Sequence, residues 1–144
     1  MQYASFGKRF LAYVVDGALV FIISLAVNRA IPFIGWMISL CFSFLYYTMF
    51  TCSEAQATPG KFLVKIKVTD IDGNRLTVKK SILRFFASWL SSILLCFGYI
   101  LSLFTAKKQT LHDLIMDTVV IDGEVIVEGG ILKAFVDQIK SLRQ

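Results

Sequence analysis

The sequence predicts an all-α membrane protein: a small bundle of three transmembrane segments with a membrane-peripheral β-hairpin and a C-terminal amphipathic helix. Three observations carry this. Of 144 residues, 56% are hydrophobic and only 17% charged, where a soluble domain holds about 25% charged residues. The apolar residues gather in three long runs, as membrane spans do. The net charge of +5 comes from Lys and Arg beside those runs. That placement suits anionic headgroups and a positive-inside orientation, with the N-terminus cytoplasmic, and argues against nucleic acid as a partner.

The first run, residues 10–27, lacks Lys, Arg and Glu but contains Asp16, with Arg9 at its mouth. An ionised group in a span costs roughly 2.5–3.5 kcal/mol on insertion scales, so it needs a partner and marks a candidate site. Asp16 also interrupts the apolar core that a cleavable signal peptide requires, and no A-x-A site follows. The second run, residues 30–53, follows the short link Asn28-Arg29 and has Pro32 in its first turn, where proline is tolerated. So short a link predicts an antiparallel helical hairpin. Tyr46 and Tyr47, within an aromatic cluster near its end, suit the interface or simple packing. The third run, residues 85–106, either spans or re-enters with a bend at Cys96-Phe97-Gly98. Charge favours re-entry, since Arg29 is then the one basic residue outside. Run length, and the cost of irregular backbone in lipid, favour three spans.

Between the second and third runs lies a polar insert, residues 54–84. Thr58-Pro59-Gly60-Lys61 reads as a turn; the upstream Gly and the Ser/Thr after Lys that a P-loop needs are missing. Residues 61–68 alternate, with Phe62, Val64, Ile66 and Val68 against Lys61, Lys65 and Lys67. That predicts a strand, turning at 70–74 and pairing with Leu76-Thr77-Val78 as a hairpin. Thr110-x-x-Asp113 has the form of a capping box. Residues 118–121 and 124–127 suggest a second hairpin. Residues 131–144 place Ile131, Leu132, Phe135, Val136, Ile139 and Leu142 on one helical face, which lies on the membrane or on a partner. The chain thus divides into a membrane domain, residues 1–121, and a C-terminal hairpin and helix, residues 122–144.

Cys41, Cys52 and Cys96 form no CxxC pair, and the chain has one histidine. No metal site and no cofactor is expected; buried thiols pack as small hydrophobes. A nucleophile turn with Ser, His and Asp is also missing, so no catalytic residue and no enzyme activity is expected. What remains is a charged constellation. Arg9 and Asp16 share a helical face about 10.5 Å apart along the axis. Helical side chains lean toward the N-terminus, so Arg9 points away from Asp16. Each therefore requires a partner from another segment, Arg84 or the His112-Asp113 pair, with Arg84 the candidate for Asp16. The structural alternatives are a carboxyl hydrogen-bonded to a neighbouring helix for Asp16, a helix cap for Asp113 and a membrane anchor for Arg9. An intramembrane carboxylate is also what proton coupling needs.

SFGKRFLAYVVDG, then TPGK and KVTDIDG, then ILRFF, then KKQTLHDLIMDTVVI resembles the RDD family of membrane proteins over about residues 5–121. That family is named for one Arg and two Asp, which match Arg9, Asp16 and Asp113 by position. Many members carry a pair of small residues where this chain has Met116-Asp117. The resemblance implies a multi-span protein of a bacterial inner membrane without known enzyme activity. For some members transport, including cation/proton exchange, has been proposed; others resemble accessory subunits. Two functions follow as expectations. One is transport of a small cation or solute by an oligomer, coupled to protons through Asp16. The other is an accessory or scaffold subunit bound to a membrane partner through the hairpin and the C-terminal helix.

Overall fold

In the computed structural model, which describes residues 2–93, 104–105, 107–123 and 129–143, two long helices form an antiparallel hairpin. Helix α1, Phe6–Ala30, is 25 residues long, about 37 Å. Ser5 caps it, its hydroxyl accepting from the Lys8 amide at 3.4 Å. Helix α2 is Gly35–Cys52. Both are long and apolar enough to cross a membrane. Phe10, Phe21, Ile22, Trp36 and Met37 are all more than half exposed, which suits lipid as the surrounding solvent.

The link between them differs from the expected Asn28-Arg29. The Asn28 amide donates to Ser24 O at 2.7 Å and Ser39 Oγ at 3.2 Å, so α1 continues through both residues. Ile31, held off the helical region (φ −135°, ψ 76°) as a residue before proline is, ends it. Pro32 therefore lies in the turn rather than in the first turn of α2. A Cβ at Gly35 would stand 2.9 Å from Asn28 Cα, so the helices meet here by glycine alone.

At the other end of the hairpin sits a polar cap. Helix α3, Pro59–Leu63, leads into strand β1, Ile66–Asp70. The strand expected over 61–68 thus begins late, because Pro59 at N1 after Thr58 starts a helix instead. The expected partner of β1 is also replaced. Asp70 and Asn74 close a turn through Gly73 (φ 83°), but Thr77 then caps a helix, its hydroxyl accepting from the Lys80 amide at 3.3 Å. Helix α4, Val78–Ile93, follows, and Leu76 turns into the core. Strand β1 pairs instead with β2, Thr118–Asp122, antiparallel, with Val68 opposite Val120. Backbone at Gln2 and Ala4 adds to the far side of β2. The cap core is Ala4, Ala12, Ile66, Val68, Leu76 and Val120. The pairing expected of β2 with residues 124–127, and the bend expected at 96–98, lie outside the described residues.

Helix α5, Leu111–Ile115, begins with the capping box, Asp113 accepting from the Thr110 amide at 3.2 Å. Asp117, at φ 51°, makes the left-handed step from α5 into β2. Asp is among the few residues other than Gly that tolerate this conformation. Helix α6, Gly130–Ser141, packs on the cap end of α2. Phe135 stacks on Phe50 at 4.5 Å, and Arg75 ties Cys52 O to Gln138.

The described residues on either side of the third run both contact the cap. Helix α4 starts at the cap and lies along α2, with Phe44 against Phe85 and Phe86. It presents Leu83, Phe86, Trp89 and Leu90 outward and turns Ser81 and Arg84 inward. By α5 the chain is back, since Arg84 meets Asp113. Two helices long and apolar enough to span are found among the described residues, so three spans are not confirmed, and Arg84 and Asp113 on either side of the third run meet at the cap. Lys79, Lys80 and Arg84 hold the first turns of α4 at the polar end.

Candidate functional site

Asp113 is fully buried and is the centre of a clamp. Arg9 of α1 donates from Nη1 to its Oδ2 at 2.6 Å, and Arg84 of α4 donates from Nη2 to its Oδ1. Arg9 also reaches Val120 O of β2 at 3.4 Å. One carboxylate thus joins both membrane-proximal helices to the cap. Burial alone would push its pKa up; Arg84, with His112, Arg9 and the Thr110 amide, holds it well below the ordinary carboxylate range. His112 stands beside it, 3.7 Å from Oδ1 and 3.0 Å from Thr110 Oγ1. Burial outweighs the attraction of Asp113 and pushes His112 down to about 4. At neutral pH the imidazole is uncharged, and the two guanidiniums carry the clamp.

Asp16 has a separate set of partners. Tyr46 Oη donates to Oδ1 at 2.7 Å, the Gly60 amide to Oδ1 at 2.7 Å, and Thr58 Oγ1 to Oδ2. The carboxylate receives the first turn of α3, where backbone amides favour an anion. Gly60 permits this approach: a Cβ there would meet Ala12 O at 2.4 Å and the Asp16 carboxyl carbon at 2.8 Å. Arg84, expected on Asp16, goes to Asp113 instead. Its place in α4 sets it opposite α5, and the cap wraps Asp16 with neutral donors.

The two carboxylates flank one cavity of about 220 Å³, whose wall includes Arg9, Asp16, Lys61, Arg84, His112 and Trp89. Four of the five residues singled out from sequence line it, and Asp113 lies directly behind. Lys61 was missed, having been assigned to the solvated face of a strand. It is half-buried, and burial, reinforced by Arg84 against the pull of Asp16 and Asp113, lowers its pKa to about 8. Tyr46, Thr58 and Gly60 were also missed as partners of Asp16. The signal lay in the TPGK tract, where proline at N1 starts a helix whose first free amides face an anion. Among the described residues no group of three or more His, Cys, Asp or Glu is placed to hold a metal ion.

The family model described as RDD family matches residues 3–117. The chain is 34% identical, over 146 residues, to the uncharacterized protein YxaI of Bacillus subtilis (strain 168), covering 82% of this chain and 96% of that protein. No solved structure matches.

Proposed function

Because the chain belongs to the RDD family of membrane proteins, we propose that it moves a small solute across the bacterial inner membrane as a non-enzymatic oligomer, loading it from the cap side. The observation that supports this most is the cavity between the hairpin and the cap, lined by charged groups from α1, α3 and α4. The cap is cytoplasmic in this reading: of the fifteen Lys and Arg, Arg29 alone stands at the far end of the hairpin, as the positive-inside rule requires. Several copies complete the pathway, since two spans enclose none.

Asp16 couples this reading to protons. Its carboxylate both faces the cavity and latches α3 through Thr58 and Gly60. Proton uptake there weakens the latch and frees the helix that carries Lys61. Flux measured in proteoliposomes tests this. Wild type should transport with a rate that depends on pH, and Asp16→Asn should lose that dependence. PH-dependent flux unchanged in Asp16→Asn removes Asp16 from the role.

A second reading, an accessory subunit, draws on α6. Leu132, Val136, Ile139 and Leu142 stand exposed on it, a face that a membrane partner would cover. Purification in mild detergent separates the readings: a stoichiometric partner lost with residues 130–144 favours the subunit.

A further inference from the structure

We propose that the cavity between the hairpin and the cap binds an oxyanion group, phosphate or phosphodiester, through Arg9, Arg84 and Lys61. This rests on the reading of the cavity as the binding site and names the class of ligand it takes. The charge of the wall points away from a cation. Arg9, Arg84 and Lys61 bring three positive groups, against two carboxylates, Asp16 and Asp113.

Both carboxylates are already engaged, one by two guanidiniums and one by three neutral donors. The donors are not exhausted. Arg84 is 8% exposed, yet its Nη1 has no hydrogen-bond partner among the described residues; Arg9 Nε is likewise buried and unpaired. Lys61 also forms no ion pair among them, although it stands in the field of both arginines. Buried N–H groups are rarely left so, and each costs about 1–3 kcal/mol. One ligand carrying acceptor oxygens in the cavity would give the two guanidiniums and the Lys61 ammonium a common partner. Guanidinium forks match the oxygens of phosphate, and the ammonium adds a point charge.

A singly charged oxyanion also balances the wall. Tyr13, Phe85 and Trp89 continue the lining, and Tyr13 and Trp89 are about half exposed on the lipid-facing surface. The same chemistry therefore arrives from two sources, free phosphate from water or the phosphodiester of a lipid headgroup.

Thermal unfolding of the full chain in maltoside micelles tests this, with sodium phosphate replacing sodium chloride at constant ionic strength. A second arm adds short-chain phosphatidylglycerol, with diacylglycerol of the same chains as its control. Wild type should gain about 5 °C at saturation in at least one arm; which arm responds identifies the source. Lys61→Met should unfold no lower than wild type without ligand, because it removes an unpaired cation. Its apparent affinity for the ligand should fall at least tenfold. Broadening of the phosphate ³¹P resonance by wild-type protein reads the same contact without a variant. A wild type that responds to neither ligand beyond its control overturns the proposal, and so does a Lys61→Met response equal to that of wild type. Binding is read without flux. Binding in a protein that transports nothing keeps the oxyanion site and removes the transport reading; flux without oxyanion binding does the reverse.

Discussion

Asp113 serves at the residue scale as helix cap and ion-pair centre together, and the two uses reinforce one another. The Thr110 amide fixes the carboxylate at the start of α5, which aims both oxygens at the guanidiniums. A buried charge stripped of its partner costs about 3–5 kcal/mol. Arg84→Leu and Asp113→Leu should each destabilise on that order, and together cost clearly less than their sum. Arg84→Leu with Asp16→Leu should couple clearly less, because no hydrogen bond joins the two and they share only the cavity wall. Thermal unfolding of the two double-mutant cycles in detergent measures both; coupling at Asp16 instead of Asp113 would reverse the assignment. His112 supplies a separate test in pH. The unfolded chain takes up the imidazole proton near 6.5, the folded chain only at about 4. Protons therefore favour the unfolded state as pH falls through that interval, and stability drops by at most about 3 kcal/mol. The contribution of Asp113 is lost only lower, as pH falls below the ordinary carboxylate range toward its depressed folded value. His112→Gln should flatten the fall in melting temperature between pH 7 and 4.5, and an unchanged slope would acquit the histidine.

At the scale of elements, local signals were read well where one stretch determines its own structure. The capping box at Thr110 and Asp113 stands as expected; α2 falls within its apolar run, α1 extends beyond its run at both ends, and α6 takes up most of the amphipathic stretch. Pairings between stretches were not legible. Residues 66–70 look like half of a hairpin, and nothing in their alternation names residues 118–122 as the other half. Thr77 looks like a strand residue until Lys80 needs a cap. At the site the candidate residues were legible and their partners were not. Arg84 and Lys61 lie on elements whose faces are set by the fold, which sequence spacing alone does not give. The meeting of Arg84 and Asp113 at the cap makes the side of the membrane on which the chain emerges testable. With Cys41, Cys52 and Cys96 replaced by Ala, single cysteines at Ser5 and Ser141 should label from one and the same side of the membrane. Labelling of the two from opposite sides would restore the three-span chain.

On the scale of the whole molecule, the pairing of β1 and β2 sets an order of events in synthesis. Gln2 and Ala4 are made well before their backbone partners, Val120 and Asp122. At about 5–20 residues per second, roughly 6–25 s pass between the two leaving the ribosome. Arg9 waits through most of that interval for Asp113, and once made, β1 has an open edge and Arg84 awaits the same carboxylate. The helical hairpin is complete long before the cap that covers its charged end. The nascent chain is thus exposed to proteases and to mispairing until Thr118–Asp122 is made, and a pause codon placed before Thr118 should lower its yield without changing a single residue.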